Sequence, residues 1–330
     1  MKTPGEIPVL DNLRAIAAWS VCLYHFVCAT VGFINSKVVY DIFYYGQFGV
    51  HLFFIISGMV IPWSLYRNSY RIKNLFGFLL KRLLRLEPPY LFSILLAIAF
   101  IYLRKYSPSF DGMEKTITVR QVFLHLGYLV PFFNDVSWLN NVYWTLAIEF
   151  QYYLLIGLLY FLFISPMILL RFLGYGVLLA TPFVFADERF LPFWLPLFGI
   201  GILLFLFKSK QIGIAELAVA STIFIGHLFF FNSGVCAGIA LVTEMIILFM
   251  FSYSNPLLAF LGKFSYSVYL MHTLAGAAFV NVLSHYVTGN FAKLVLVLGG
   301  LVVTAASSYV MYIVIEKPSK KLSSGVKYNR

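Results

Sequence analysis

Charged residues are scarce in this 330-residue sequence, at 11% of the total. Soluble domains usually carry about 25%, so the composition argues against an ordinary water-soluble protein. Only three cysteines are present, and all three lie in apolar runs, so a disulfide framework is not expected. The sequence has no phosphate-binding loop, dinucleotide-binding fingerprint, internal repeat or Cys/His metal-ligand spacing, and we expect no bound metal.

Apolar residues dominate instead, with 61% hydrophobic residues and a mean hydropathy of +0.87. Ten apolar segments approach or exceed the length of about 20 residues that crosses a bilayer. They cover residues 12–31, 47–66, 88–103, 143–164, 167–185, 190–207, 212–231, 234–251, 264–285 and 291–315. We therefore predict an all-α integral membrane protein, a bundle of about ten transmembrane helices in a single domain over residues 1–330. The shorter apolar segment 121–133 is expected to be interfacial or re-entrant.

The net charge of +11 is better explained by membrane topology than by a nucleic-acid partner. With ten spans, most of the Lys and Arg residues fall on one side of the membrane, and the largest group lies between the second and third segments. Basic loops usually stay in the cytoplasm. The sequence therefore predicts a multi-pass protein with both termini cytoplasmic and no nucleic-acid partner.

The first apolar segment contains two residues that are costly to place in lipid, Arg14 and His25. They are eleven residues apart, about three helical turns, so their side chains share nearly the same helix face about 16 Å apart. Ionisable residues within a span usually face protein or a hydrated cavity, and they indicate a functional site. The alternatives are that Arg14 snorkels to the interface and that His25 only bonds a neighbouring carbonyl. Their shared face favours a catalytic pair.

Glu149, in WTLAIEFQYYLL, is a candidate partner for His25. Counting the helical rise from the span ends places the two residues at similar depth. A carboxylate beside an imidazole can fix its tautomer and raise its basicity, as in general-base catalysis. The alternative is a structural hydrogen bond between Glu149 and another buried polar group. Further site candidates are Tyr152 in the same segment, His51 in GQFGVHLFFIISG and His272 in SYSVYLMH.

The loop before the third segment is strongly basic and continues into FLLKRLLRLEPPY. This pattern predicts a helix that ends at the proline pair. Guanidinium and ammonium groups at such a helix end suit a phosphate-rich ligand on the cytoplasmic side. The candidate ligand-binding residues are Arg71, Lys81, Arg82 and Arg85. The alternative is that the loop only sets the topology and contacts anionic membrane lipids.

Five segments, taken in order, resemble the membrane acyltransferase family 3, integral-membrane proteins that O-acylate bacterial surface carbohydrates. They are DNLRAIAAWSVCLYHF, GVHLFFIISG, KRLLRLEPPY, WTLAIEFQYYLL and GKFSYSVYLMH. Any one of these segments would be weak evidence, but together they cover nearly the whole chain and are quite specific.

The resemblance implies a ten-helix domain that takes acetyl groups from cytoplasmic acetyl-CoA. The acceptor would be a glycan hydroxyl at or beyond the outer face of a bacterial cytoplasmic membrane. The resemblance also implies that Arg14 and His25 form an essential pair and that Glu149 is the glutamate of a W-[ST]-L-x-[IV]-E motif. Arg82 and Arg85 match the basic pair that precedes a proline-aromatic element in the family.

The chain departs from the family pattern at Glu87, where an aromatic residue is often found. Some relatives also carry a fused extracytoplasmic esterase-like domain, and we expect none here. The functional hypothesis is an O-acetyltransferase that acts on a surface polysaccharide, a lipopolysaccharide or another lipid-linked glycan. A transporter or flippase that uses the same buried polar residues, and a non-catalytic membrane subunit, are the alternatives. The sequence leaves the acceptor glycan and the oligomeric state open.

Overall fold

The computed structural model describes residues 7–28, 33–34, 36–106 and 116–327. Within these residues the regular elements are all helical, and no strand occurs. Residues 1–6 and 328–330 lie outside the described part, as do the last residues of the predicted first span, 29–31. Residues 107–115 of the long polar loop that follows Arg104 lie outside it as well.

Fifteen α-helices follow one another in the described residues. They are α1 (Pro8–Val27), α2 (Lys37–Tyr44), α3 (Gly49–Arg67), α4 (Leu75–Leu103), α5 (Val119–Leu126), α6 (Trp144–Phe163), α7 (Ile168–Val184), α8 (Leu191–Lys208), α9 (Ile214–Phe231), α10 (Gly234–Phe249), α11 (Pro256–Lys263), α12 (Ser265–Met271), α13 (Ala278–Ser284), α14 (Asn290–Met311) and α15 (Lys317–Gly325). Two π-helical turns, His272–Ala277 and Tyr312–Glu316, join α12 to α13 and α14 to α15. π-Helical turns are rare in proteins, and those that occur are often found at functional sites.

Seven helical stretches in the described chain are long and apolar enough to cross a membrane. They are Lys37–Arg67, Ile72–Tyr106, Trp144–Phe163, Leu191–Lys208, Ile214–Phe231, Ser265–Ser284 and Asn290–Gly325. The helices α7 and α10 are apolar but shorter. The helix α1 is not among the seven, because Asp11, Arg14 and His25 reduce its apolar character. The structure therefore confirms an all-helical, multi-pass membrane protein, whereas the number of ten crossings stays a prediction.

The helix α4 contradicts the prediction that the proline pair ends a helix. It runs for 29 residues and continues through Pro88 and Pro89. Prolines remove backbone hydrogen bonds, but membrane proteins tolerate them where neighbouring groups satisfy the freed carbonyls. Next to the proline pair, the Tyr266 hydroxyl donates a hydrogen bond to the Leu86 carbonyl at 2.9 Å and ties α12 to this part of α4. The basic residues of this segment therefore lie inside one long helix.

The helices α3 and α8 cross at very short range, because glycines stand at their contact. A Cβ atom at Gly58 would come within 2.2 Å of the Phe198 carbonyl oxygen, and one at Gly201 within 2.1 Å of the Ile55 carbonyl oxygen. Small residues are the usual way in which transmembrane helices approach closely. The α3–α8 pair thus provides a rigid wall beside the candidate site.

The close crossing of α3 and α8 predicts that two glycine substitutions differ strongly in their effect on stability. We expect Gly201→Ala to destabilise the protein by about 1–3 kcal/mol, the usual cost of overpacking a well-packed interior. Gly226→Ala is the matched control, since in the described structure no atom beyond the neighbouring backbone of α9 lies within 4 Å of the Cβ that it would add. Thermal unfolding in detergent should show a lower midpoint for Gly201→Ala alone. Equal midpoints for the two variants would contradict the close crossing.

The helix α1 runs beside α11 and α12 in the same direction. At one end, Gly262 lies so close to α1 that a Cβ would meet the Asp11 carbonyl oxygen at 2.0 Å. At the other end, the rings of His272 and His25 are in contact, with their centroids 5.1 Å apart. This alignment places the site candidates of α1 and of the π-helical turn side by side.

The segment 121–133 forms only the eight-residue α5 and a short 3-10 turn, Val130–Phe132, and neither is long enough to cross. His125 is fully buried there. Its Nδ1 lies 2.8 Å from the Gln121 carbonyl oxygen, and its Nε2 accepts a hydrogen bond from the Leu139 amide at 3.0 Å. Because a carbonyl only accepts, Nδ1 carries the proton of a neutral ring. The hydrogen bonds of this ring link α5 to the segment that leads into α6.

The His125 contact predicts a pH-dependent loosening of this segment. Burial lowers the pKa of His125, and the hydrogen bond to the Gln121 carbonyl partly offsets that shift. Because the pKa of His125 is lower in the folded state, the neutral ring stabilises the fold fully above the unfolded-state pKa of about 6.5. This stabilisation is lost as the pH falls below that value towards the folded pKa. Hydrogen exchange at the Leu139 amide, corrected for its intrinsic pH dependence, should therefore become faster on acidification. Unchanged protection at about pH 5 would show that the histidine does not titrate as proposed.

Candidate active site

A cavity of about 600 Å³ lies among α1, α3, α4, α6, α11, α12 and α15. Its wall combines apolar residues of α3 with a concentrated set of polar side chains. The polar set is Asp11, Arg14, Ser57, Arg82, Arg85, Thr145, Glu149, Tyr153, Lys263, Ser265, Tyr266, Tyr269, Tyr312, Glu316 and Lys320. Basic side chains outnumber acidic ones in this set, so the cavity favours an anionic ligand.

Arg14 faces this cavity and does not simply snorkel to an interface. Its Nη1 lies 2.7 Å from Oδ1 of Asp11, one turn earlier on α1. Both side chains stay about a quarter exposed, at 24% and 26%. Arg85 and Glu149 are close enough to Arg14 to act on its charge. The Arg14 guanidinium therefore retains free donors in a cavity that other charged groups share.

Two residues of the predicted basic cluster reach the cavity and two do not. Arg82 is buried, with its guanidinium over the rings of Phe78 and Tyr153, and both Arg82 and Arg85 line the cavity wall. Arg71 is exposed and Lys81 lies on another side of α4, and neither lines the cavity. Lys81 points away because α4 turns only one of its faces inward, and Arg71 precedes that helix. Of the four predicted binding residues, the structure places only Arg82 and Arg85 at the cavity.

A second group of charges, which sequence reasoning missed, lies where α12 meets the π-helical turn Tyr312–Glu316. Glu316 is 1% exposed, forms an ion pair of 2.6 Å with Lys320, and accepts hydrogen bonds from the amide and hydroxyl of Ser267. Lys320 also donates to the Lys263 carbonyl at 3.0 Å. Both Arg14 and Arg85 are close enough to Lys320 to repel its ammonium group. The sequence signal was the basic run EKPSKK after an apolar segment, which the predicted topology explained without a site.

Glu149 does not position His25. Its Oε1 accepts hydrogen bonds from Ser57, at 3.1 Å, and from Tyr153. It lies near Arg14, three turns away from His25 along α1. Among the described contacts, none joins Glu149 to His25. The depth estimate was wrong because counting residues from assumed span ends ignores helix tilt and offset.

Tyr152 is not a residue of the cavity. It is fully buried, its ring stacks on Phe198 with centroids 4.1 Å apart, and its hydroxyl points to the Gly58 carbonyl at 3.4 Å. The neighbouring Tyr153 lines the cavity and bonds Glu149. Adjacent helical residues point about 100° apart, so the sequence could not tell which tyrosine faces inward.

His25 and His272 form a histidine pair just beyond the end of the cavity. The Tyr269 ring lines the cavity on one side, and its centroid lies 5.7 Å from that of His272 on the other. Nδ1 of His272 is 2.8 Å from the Tyr269 carbonyl oxygen and must donate to it. The remaining nitrogen, Nε2, is buried and has no hydrogen-bond partner among the described residues. Neutral His272 therefore presents an unused acceptor beside the His25 ring.

His51 lies apart from this pair. Its Nε2 is 3.3 Å from the Cys236 sulfur, and its ring packs against Phe48 and Trp194. It does not line the cavity, so its contacts tie α3 to α10 and α8. A buried ion pair between Arg171 and Glu216, 2.6 Å long, likewise joins α7 to α9 away from the cavity.

The arrangement separates two chemical tasks. The cationic cavity can hold an anionic, elongated ligand in contact with Arg14, Arg85 and Lys320. The histidine pair, one aromatic ring further along, offers a basic imidazole nitrogen on His25 that can accept a proton from a reacting hydroxyl. Such a site suits the transfer of a group between two substrates that approach from different directions.

Comparison with known proteins agrees with this chemistry. The sequence model of acyltransferase family 3, described as an acyltransferase domain, matches residues 7–313. O-acetyltransferase OatA of Staphylococcus aureus (strain NCTC 8325 / PS 47) is 28% identical over 370 residues, which cover 97% of this chain and 58% of that protein. ORF330 of Acidianus two-tailed virus, named only provisionally as an acetyltransferase, is 27% identical over 292 residues, covering 81% of this chain and 82% of its own. No solved structure matches the chain.

The chain therefore spans a little over half the length of the staphylococcal relative. The family match extends from the start of α1 to the second π-helical turn, so it includes Arg14, the histidine pair and the cavity helices α3, α4 and α6. This match favours an enzyme over a transporter or a non-catalytic subunit. The chain belongs to acyltransferase family 3, as its sequence motifs predicted.

Proposed function

We propose that this chain is a membrane O-acetyltransferase that moves an acetyl group from acetyl-CoA to a hydroxyl of a carbohydrate. The carbohydrate is a surface polysaccharide or a lipid-linked glycan. The observation that carries the proposal is the position of the histidine pair, one aromatic side chain beyond a cationic cavity. The O-acetyltransferase name of the staphylococcal relative supports the same acyl group and acceptor atom.

Acetyl-CoA fits the chemistry of the cavity. Its phosphates carry negative charge, and Arg85, Lys263 and Lys320 supply donors for them. Its pantetheine arm is narrow and largely uncharged, like the part of the cavity wall formed by α3. A volume of about 600 Å³ is in the range of small-molecule sites. In this proposal the arm points from the basic residues past Arg14 towards Tyr269.

The reaction needs a base for the acceptor and a donor held in place. His25 takes the proton of the acceptor hydroxyl, whose oxygen attacks the acetyl carbonyl carbon. The carbon–sulfur bond then breaks, and the CoA thiolate receives the proton that His25 removed. His272 acts as a positioning residue, because its free Nε2 can accept an N–H of His25 and leave the other His25 nitrogen as the base. Glu149 stays in the donor cavity beside Arg14.

We also propose that the chain has the membrane topology that its sequence predicts. Ten crossings with both termini in the cytoplasm place the basic residues of the cavity on the cytoplasmic side, in agreement with the positive-inside tendency. The C-terminal end of α1, with His25, then lies towards the opposite face. A protein of this kind belongs in the cytoplasmic membrane of a bacterium, where the donor is cytoplasmic and the acceptor glycan is outside.

Mass analysis of the host's surface glycans tests the proposed function. Cells that express the chain should carry acetyl esters on a glycan, and cells without the gene should lack them. Cells that express His25→Ala provide the matched control, since the protein should be inserted but inactive. Identical glycans in all three strains would refute the O-acetyltransferase proposal.

A further inference from the structure

Four tyrosines form a continuous aromatic surface next to His25, at the end of α1 opposite the cavity-lining residues. The Tyr24 ring contacts the His25 ring with centroids 5.1 Å apart, and Tyr44 lies 6.3 Å from Tyr24. Tyr40 stacks on Tyr44 at 5.8 Å, and Tyr45 lies 6.0 Å from Tyr44. We name Tyr24, Tyr40, Tyr44 and Tyr45 the tyrosine shelf. It extends from a candidate catalytic ring to the surface.

The shelf is accessible. Tyr40, Tyr44 and Tyr45 are 41%, 42% and 56% exposed. Among the described side-chain hydrogen bonds, none uses the hydroxyls of these three residues. Large aromatic side chains so exposed, in contact with one another and continuous with a site, indicate a binding surface.

The short helix α2 carries an aliphatic face on the side opposite the tyrosine shelf. Val38 and Ile42 are 69% and 63% exposed. They lie two residues before Tyr40 and Tyr44, a rotation of about 200° around the helix, so the aliphatic and tyrosine faces are nearly opposite. Lys37 and Asp41 lie between these two faces and adjoin the tyrosine face. The tyrosines therefore face the polar side of α2, and the aliphatic pair is placed to meet lipid.

The shelf is held firmly relative to His25. The Ser36 hydroxyl caps α2 by accepting a hydrogen bond from the Val39 amide, and the Cys28 thiol contacts the Tyr40 carbonyl at 3.5 Å. After α2, Gly46 lies so close to α1 that a Cβ would meet the Ser20 carbonyl oxygen at 2.3 Å. A surface fixed in this way can direct a ligand to one place.

We propose that the tyrosine shelf binds sugar rings of the acceptor and delivers one of their hydroxyls to His25. This inference rests on the proposed function and adds the location of the acceptor. Sugar rings present C–H groups that pack on aromatic faces, while their hydroxyls bond phenolic oxygens. The shelf offers both kinds of contact in a row, and its Tyr24 end touches the proposed base. Donor and acceptor thus reach the histidine pair from opposite ends of α1.

The test compares alanine variants of the two faces of α2 in cells whose surface glycan is acetylated. We expect the double variant Tyr40→Ala/Tyr44→Ala to reduce acetyl esters per cell at least about tenfold, because it removes two of the rings on which the sugar packs. The matched control, Val38→Ala/Ile42→Ala, removes the opposite face and should leave the esters within about twofold of the wild type. The amount of each variant in the membrane is measured by blotting.

A donor readout separates this inference from the proposed function. Purified full-length variants are tested for binding of acetyl-CoA, which should be unchanged in both double variants. The inference is overturned if Tyr40→Ala/Tyr44→Ala acetylates normally, or if both double variants lose esters in proportion to their amount in the membrane, which would identify a lipid contact. If the wild type itself forms no esters, the proposed function fails instead.

Discussion

Replacement of His25 by alanine is expected to reduce acetyl transfer to carbohydrate at least about 100-fold. A positioned general base usually contributes 10²–10⁴ in rate, and the residues that the structure describes provide no second base in the same place. His272 cannot substitute, because its ring is fully buried and its Nε2 is therefore closed to the acceptor. Binding of acetyl-CoA should be retained, since His25 does not line the cavity. Rates of ester formation and donor titrations on the purified protein measure the two effects.

His227→Ala is the control for this prediction. His227 is also a buried histidine within an apolar helix, but its ring packs against Phe183 and Phe231, away from the cavity. We expect this variant to keep the wild-type transfer rate once its stability has been checked by thermal unfolding. Normal transfer by His25→Ala, or an equal loss in both variants, would remove the histidine pair from the mechanism.

Replacement of Arg85 by alanine is expected to raise the KM for acetyl-CoA by about 10–150-fold. Hydrogen bonds to a charged group are worth about 1.5–3 kcal/mol, and Arg85 is one of the few basic side chains that line the cavity. The kcat should change much less, because the residue binds the donor equally before and during the reaction. Steady-state kinetics with varied acetyl-CoA provide both constants.

Arg71→Ala is the matched control, because Arg71 belongs to the same basic stretch but is exposed and lies outside the cavity. Its KM should stay close to that of the wild type. If the two variants raise the KM equally, the stretch acts through its overall charge, and the effect should then weaken strongly with salt. An effect of Arg85→Ala on kcat alone would place this residue at the reacting atoms.

The sequence was informative where local pattern and chemistry agree. An arginine and a histidine on one face of an apolar helix indicated the site, and Arg14 does line the cavity. His272 was a candidate because it lies within the apolar segment SYSVYLMH, and the structure brings it to His25. These positions agree with the tendency of ionisable residues in an apolar segment to face a protein interior or a hydrated cavity.

The remaining features depend on three-dimensional offsets that no local pattern contains. The contacts of Glu149 with Ser57 and Tyr153 were not foreseen, because a count of residues from assumed span ends contains neither helix tilt nor offset. Lys263, Glu316 and Lys320 were missed because a π-helical turn brings Glu316 inward at a place where the sequence reads as the end of a span. The continuation of α4 through Pro88 and Pro89 was missed because the rule that proline ends a helix is relaxed in membrane proteins.

The most direct test of the account follows an isotopically labelled acetyl group in sealed vesicles. Vesicles that contain the chain and a glycan-bearing membrane from its host receive labelled acetyl-CoA on the side of Lys263 and Lys320 only. The account predicts labelled acetyl esters on the glycan with the wild type, and none above background with His25→Ala. Label that stays on CoA with the wild type, or that reaches the glycan equally well with His25→Ala, would contradict transfer through the cavity to the histidine pair.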